Sequence, residues 1–219
     1  MAPQLPNAAQ RAAYWPVPIA RAIPAAALAL VITFSADHSA RFGLVVFGIF
    51  GIVGGLVVAA AALLRLADSG VRAFFIAQGA VTAVSGLLSL LVNGGGVQYL
   101  FLILTVFAAI TGFLELYSGL RTRRRFVASG DWVTAGAFTA VVAVVFVLIP
   151  PGYSQRFTGP DGVARVLDSS VVVVGLLGAY AAILAVYLLI AGLSAKWGTQ
   201  SGPAAEQAKP LPAERETSA

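Results

Sequence analysis

An apolar run at residues 99–121 restricts this chain to a small set of folds. A stretch of roughly 20 apolar residues crosses the hydrocarbon core of a bilayer as one helix. The run contains a single carboxylate, Glu115. The basic residues at its end are Arg121, Arg123, Arg124 and Arg125. Because arginines beside a span favour the cytoplasmic side, the run predicts a transmembrane helix whose C-terminal end faces the cytoplasm.

The composition indicates that most of the chain lies in a membrane. Hydrophobic residues make up 59% of the sequence and charged residues 11%, against roughly 25% charged residues in soluble domains. Six apolar runs are long enough to span, at residues 19–35, 43–64, 71–92, 99–121, 132–149 and 170–193. The sequence therefore predicts an all-α integral membrane protein with six transmembrane helices.

The boundaries of these runs divide the chain into three parts. Residues 1–18 lack the pattern of a cleavable signal and are expected to form a cytoplasmic arm. Residues 19–197 are expected to form the transmembrane domain, in which Pro24 kinks the first helix if it lies beyond the opening turn. Residues 198–219 are rich in Pro, Ala, Gln and Glu and are expected to form a disordered cytoplasmic tail.

The distribution of basic residues predicts the orientation. Eleven of the fourteen Lys and Arg residues fall on one side of the six spans, with Arg21 counted among them. The other side has only Arg41, Arg156 and Arg165. The three tryptophans, including Trp132, also fall at the basic interface. Both termini are therefore expected in the cytoplasm.

Internal similarity relates the spans to one another. A shift of 57 residues aligns Phe50 with Phe107 and Gly55 with Gly112, and a shift of 73 aligns Phe107 with Tyr180. The third and fifth spans also align at 57, as Gly79 with Gly136. These registers predict three related helical hairpins, formed by spans 1–2, 3–4 and 5–6. The alternative is a chance alignment of low-complexity apolar helices.

Two glycine patterns carry a resemblance to a known family. They are Gly48-x-x-Gly51-x-x-Gly54 and the segment from Gly112 to Arg121. With these motifs the chain resembles the HdeD-like family of small six-span bacterial membrane proteins over residues 21–197. The resemblance implies a cytoplasmic-membrane protein whose namesake is linked to acid resistance, with no catalytic residue to carry over. The glycine-rich faces also suggest a homo-oligomer.

Glu115 is the main candidate for a functional residue. Its repeat equivalents, Val58 and Leu188, are aliphatic. Gln78 lies at a similar depth on the preceding span, and Thr111 shares the small, polar face of Glu115. An ionisable residue inside a membrane suggests proton or ligand handling. The alternative is a structural contact in which Glu115 pairs with Arg72 or Arg121.

Other residues offer weaker signals. Arg121, Arg123, Arg124 and Arg125 suit contact with anionic lipid headgroups or a simple topology anchor. His38, beside Asp37, could sense acid or be a solvated loop residue. The absence of cysteine and the single histidine argue against metal and cofactor sites and against an enzyme. The basic residues are distributed among loops, which is typical of residues that set membrane orientation rather than of a nucleic-acid-binding surface.

Two functional hypotheses remain open from the sequence. One is a non-enzymatic membrane protein of envelope or acid-stress maintenance, with the lipid bilayer as its partner. The other is a small transporter or channel whose path is lined by polar residues. Those residues are Gln78, Thr82, Ser85, Thr111 and Glu115.

The predicted orientation can be tested with reporter fusions. Fusions after Arg125 and after Thr199 should read as cytoplasmic, and a fusion after Gly159 should read as external, because the basic segments stay inside. A cytoplasmic signal at Gly159 would mean that the number of spans is wrong.

Overall fold

A computed structural model describes residues 7–66, 68–123, 125–160 and 162–200. Six of its helices are long and apolar enough to cross a membrane. The prediction of six spans is therefore supported by length and composition. Of the expected disordered tail, residues 201–219 lie outside the described residues, and the part before them continues the last helix.

Seven helices and one short hairpin make up the described part of the chain. They are α1 (Asn7–Tyr14), α2 (Pro16–Phe34), α3 (Ala40–Arg65), α4 (Ser69–Leu91), α5 (Gly96–Arg121), α6 (Ser129–Leu148), β1 (Ser154–Thr158), β2 (Ala164–Asp168) and α7 (Ser169–Gln200). Helices α2 to α7 correspond to the six predicted spans. Pro24 lies well inside α2, beyond the opening turn where a proline is tolerated without loss of a hydrogen bond.

The outer surface of the helices is apolar. Phe34, Leu64 and Leu148 are 82%, 79% and 73% exposed, and they belong to a large set of exposed aliphatic and aromatic side chains. Soluble monomers rarely expose contiguous apolar surface on this scale. The fold therefore suits a lipid bilayer.

The closest helix pairs differ from the hairpins that the sequence predicts. The most extensive contacts are between α3 and α4, between α5 and α6, and between α2 and α7. The expected hairpin partners, α2 with α3, α4 with α5 and α6 with α7, pack less extensively. The repeat registers mark related helices, but they do not say which neighbour a helix packs against most closely.

Glycine residues explain why α3 lies close to α4 and why α5 lies close to α6. A Cβ on Gly55 would lie 2.6 Å from the amide nitrogen of Ala83, and one on Gly112 would lie 2.7 Å from that of Ala140. Both residues of the second contact follow those of the first by the same 57-residue shift. Small residues let helix backbones approach in lipid, where hydrophobic attraction between helices is lacking. The glycine faces proposed for a homo-oligomer are thus covered within one chain at these positions.

Helices α3, α5 and α7 contribute side chains to one buried apolar cluster, together with α2 and α6. Phe47 of α3, Leu104 of α5 and Val174 of α7 are almost completely buried in one apolar cluster. These three helices are the even-numbered spans, which the 57- and 73-residue shifts relate. The repeat equivalents therefore meet around a common interior.

The N-terminal segment differs from the expected arm. From Asn7 onward it is helical, and the first candidate span begins at Ala9 rather than at residue 19. Tyr14 packs edge-on against Trp132 and accepts a hydrogen bond of 2.8 Å from its indole nitrogen. Trp132 is 1% exposed, so it is a core residue whose polar nitrogen is satisfied internally, while its depth in the membrane stays a prediction.

The segment between α6 and α7 contains the hairpin of β1 and β2. The strands pair antiparallel from Ser154 with Asp168 to Thr158 with Ala164. Asp168 then begins α7, because its carboxylate accepts hydrogen bonds from the Ser170 hydroxyl and the Val171 amide. These bonds favour the charged carboxylate and lower the pKa of Asp168 below its usual value.

Substitution of the contact glycines tests this packing. Gly55→Leu and Gly112→Leu should each lower the melting temperature in detergent, because overpacking typically costs about 1–3 kcal/mol or more. Gly175→Leu is the matched control, since a Cβ at Gly175 meets nothing within 4 Å. Equal melting of all three variants and the parent protein would contradict close glycine packing.

Candidate functional site

Glu115 lies on α5 in the interior of the bundle, and its partner is Arg21 of α2. The guanidinium donates from Nη1 to Oε1 at 2.6 Å and from Nη2 to Oε2 at 2.8 Å. The two side chains are 7% and 2% exposed. This is a buried, bidentate ion pair, the geometry in which an arginine binds a carboxylate most strongly.

Two residues of α4 complete the surroundings of the pair. Gln78 donates from Nε2 to Oε2 of Glu115 at 2.9 Å, and the guanidinium of Arg21 lies 5.9 Å from the ring centroid of Phe75. The carboxylate thus accepts three hydrogen bonds from charged or amide donors. The helices α2, α4 and α5 are joined at one buried point.

A small cavity adjoins the ion pair. Its volume open to water-sized molecules is about 40 Å³, and one water needs roughly 10–15 Å³ on that measure. Its polar lining beyond the pair consists of Gln78, Thr82, Thr111, Thr139 and Tyr180. The cavity therefore has room for two or three waters, or for a polar group of similar size, among hydrogen-bonding partners.

The hydroxyl groups of the cavity are available mainly as acceptors. Thr82 donates to the carbonyl of Gln78 at 2.8 Å, and Thr111 donates to that of Phe107 at 2.7 Å. Each threonine has one proton to donate, so its oxygen keeps lone pairs for another group. Thr139 also bonds a backbone carbonyl, and its oxygen lies 2.8 Å from the Tyr180 hydroxyl.

The residues around the cavity occupy equivalent positions of the internal repeat. Val58, Glu115 and Leu188 all line it, although the sequence aligned them only by register. Two further sets that also line it follow the same shifts: Gly54, Thr111 and Leu184, and Phe50, Phe107 and Tyr180. The cavity therefore lies where the related helices converge, and each set carries one polar member among apolar ones.

Arg21 is the site residue that sequence reasoning missed. The sequence analysis counts Arg21 as a cytoplasmic charge, but the structure buries it in the bundle. Without Arg21, most Lys and Arg residues still fall on the side predicted to be cytoplasmic. A signal was present, because Arg21 precedes Gln78 by the 57-residue shift. Both residues bond the Glu115 carboxylate.

The other predicted site residues are divided between the cavity and the surface. Gln78, Thr111 and Glu115 come together at the cavity. Arg72 does not: it is half-buried at the start of α4, about 9 Å along the helix axis from Gln78 at 1.5 Å per residue. The partner of Glu115 is therefore not Arg72, because the rotation and depth of α2 bring Arg21 to the carboxylate instead.

The arginine cluster is at the surface. Arg121, Arg123 and Arg125 are exposed, and Arg124 lies outside the described residues. Arg121 does not reach Glu115; its guanidinium lies about 6 Å from the rings of Phe74 and Tyr117. The exposed members are placed where lipid headgroups or solvent can reach them.

The loop before α3 holds the one histidine. His38 lies with its ring centroid 6.4 Å from that of Phe42. Beside it, Asp37 accepts a hydrogen bond of 2.8 Å from the Ser39 amide, and hydrogen bonding to Ser39 lowers the pKa of Asp37. In the part of the chain that the structure describes, no three His, Asp or Glu side chains are grouped to hold a metal ion.

Two lines of buried polar side chains lead away from the ion pair. On α4 they are Gln78, Thr82, Ser85 and Ser89, and on α5 they are Thr111, Glu115 and Ser118, followed by Thr122 at the C-cap. Ser89 is 0% exposed and Thr122 is 5% exposed, so packed side chains close both lines. Ser89 and Thr122 donate to backbone carbonyls one turn earlier.

The six apolar helices define the class of this protein as multi-pass membrane protein. The chain matches no family model, no curated protein and no solved structure. Any more specific function must therefore be argued from the buried polar site.

Removing one member of the ion pair should destabilise the protein strongly. Arg21→Gln and Glu115→Gln each leave a charge buried without its partner, which costs about 3–5 kcal/mol. The double variant should lose much less than the sum of the two, because neither charge remains. Thermal and denaturant unfolding in detergent measure all three.

Arg72→Gln serves as the matched control for this cycle. Like Arg21→Gln, it replaces one arginine by glutamine, but at a position outside the pair. We expect the free energy of unfolding to change by less than about 1 kcal/mol. Additive effects of Arg21→Gln and Glu115→Gln, or an equal loss for Arg72→Gln, would contradict the pairing.

Proposed function

We propose that this chain is a non-enzymatic, HdeD-like protein of the bacterial inner membrane that acts in envelope or acid-stress maintenance. The observation that carries the proposal is the bidentate Arg21–Glu115 pair beside a polar cavity. The glycine motifs of α3 and α5 supply the link to the family. The basic loops support an orientation with both termini in the cytoplasm.

The acid response follows from the chemistry of the pair. When Glu115 takes up a proton, the ion pair is lost and Arg21 is left as a buried charge, which is strongly unfavourable. The bundle relieves this cost by admitting water or by moving α2 away from α5. Acid thus changes the packing of the helices at a defined point.

The neighbouring titratable groups do not replace Glu115 in this role. Tyr14, Tyr180 and Tyr187 are close enough to interact electrostatically with the carboxylate. A tyrosine hydroxyl is uncharged at acidic and neutral pH. Arg21 stays charged throughout, so within the ion pair Glu115 is the member that can accept a proton. Asp131, whose carboxylate accepts a hydrogen bond from Tyr187, is the other carboxylate near these tyrosines.

A small transporter or channel is the second candidate. The buried polar lines of α4 and α5 favour it, since polar groups inside a membrane mark pathways. Two features weigh against it. The lines are closed by packed side chains. Among the residues that the structure describes, Glu115 is the one fully buried carboxylate, whereas coupled transport usually relays protons through several groups.

The double variant Arg21→Gln/Glu115→Gln tests the acid response. It keeps polar side chains of similar size but has no charge to titrate. In the parent protein, acid that breaks the ion pair should lower the melting temperature, because a buried charge then lacks its partner. In the double variant the part of this pH dependence that comes from the ion pair should be absent, whereas the part that comes from Asp37 and Asp168 should remain. Cells that carry the double variant should survive acid less well.

Two measurements make the outcome decisive. Membrane abundance of each variant shows whether lost survival reflects lost protein, and Arg72→Gln should behave like the parent. Unchanged acid survival of an abundant double variant would refute the acid-stress role. Proton or ion flux through proteoliposomes that depends on Glu115 would favour the transporter.

A further inference from the structure

A second cavity, open to the membrane side of the bundle, lies between α2 and α3. It has a volume of about 200 Å³ and an apolar lining that includes Ala27, Val31, Ile49 and Val53. The last three side chains are each about half exposed. In a bilayer this groove faces lipid chains, so an acyl chain of lipid-like shape is the natural occupant.

The groove runs up to the polar cavity. Pro24 and Phe50 line both cavities, so the apolar groove and the Arg21–Glu115 site meet at these two side chains. From Pro24 to Val31 the wall of α2 extends about 10 Å at 1.5 Å per residue. A ligand can therefore place a chain in the groove and a head in the polar cavity.

Selectivity must come from the head. Lipid chains are as apolar as the groove, so burying a chain there gives little free energy beyond packing. The polar cavity, by contrast, offers the acceptor oxygens of Thr82 and Thr111 and the amide of Gln78. A head that hydrogen-bonds with them is favoured over a plain hydrocarbon.

Charge and size limit which head can enter. The Arg21–Glu115 pair is neutral as a unit, so an ionised head would add an unpaired charge to a buried site at high cost. The volume of about 40 Å³ holds a hydroxyl or a carboxylic acid group but excludes a phospholipid headgroup. A small, uncharged head fits both limits.

We propose that the two adjoining cavities bind a single-chain amphiphile with a small uncharged head, namely a long-chain fatty alcohol. The head donates to Thr82 or Thr111 in the polar cavity, and the start of the chain passes Pro24 and Phe50 into the groove. The remainder of the chain extends into the bilayer. This inference goes beyond the acid response and does not depend on it.

Photolabelling of the purified full-length protein in phosphatidylcholine vesicles tests the site. The probe is a hexadecanol that carries a photoreactive diazirine on its chain, and labelled residues are mapped by mass spectrometry. We expect labelling of α2 and α3 along the groove. Unlabelled hexadecanol should compete with the probe, whereas hexadecane, which lacks a head, should not.

Ala27→Phe tests the groove directly. Ala27 is exposed, so phenylalanine fills the groove from its outer wall without entering the core. A filled groove keeps out the chain and, with it, the attached head. Labelling should therefore fall about tenfold, the change expected when a ligand loses one or two buried hydrogen bonds. Ala80→Phe on the exposed face of α4 is the matched control and should label like the parent. Melting curves establish that both variants are folded.

The head is tested separately by Thr111→Val, which removes one acceptor and keeps the shape. It should reduce labelling severalfold without altering the melting temperature by much. For a fatty-acid probe, labelling should fall when the pH is raised until its carboxyl group ionises, while the hexadecanol probe changes little.

Three results would overturn the proposal. They are equal labelling of Ala27→Phe and the parent, equal competition by hexadecane and hexadecanol, and labelling spread evenly over all the lipid-facing helices. Because no acid exposure of cells is involved, this experiment and the acid-survival experiment can fail independently.

Discussion

The buried ion pair between Arg21 and Glu115 is the interaction on which the arrangement of the helices depends. Removing two charges from water costs several kcal/mol per ion, and only close geometry with further hydrogen bonds repays it. Here two guanidinium bonds and the Gln78 amide satisfy the carboxylate. The helices α2, α4 and α5 must therefore hold fixed depth and rotation relative to one another.

The rest of the bundle makes that geometry possible by close backbone contact. Gly55 and Gly112 occupy equivalent positions and face Ala83 and Ala140 in the same way. Such contacts lock helices in register through van der Waals packing, the main attraction available between helices in lipid. The repeated scaffold is mostly apolar at its centre, and single polar replacements around one cavity, such as Glu115 for Val58, provide its distinctive chemistry.

Some of this could be read from the sequence. The six spans follow from local hydropathy, and the register of the repeat marks Val58, Glu115 and Leu188 as equivalent positions. Their common cavity is a finding of the structure. The depth of Gln78 relative to Glu115 could also be estimated from helix rise. The hairpin of β1 and β2 and the burial of Trp132 could not, because both depend on contacts with distant parts of the chain.

By itself the sequence determined the membrane class, the six spans and the internal register, since these depend on the side chains within each segment. Only the tertiary structure decided that α2 packs most closely on α7 and that Arg21, rather than Arg72, neutralises Glu115. The reason is physical: hydropathy limits how deep a helix lies, but its rotation and its neighbours are set by packing among all six helices. From the sequence, an arginine near the end of a span resembles a residue that sets membrane orientation. Only the packing of the helices shows that Arg21 lies in the interior.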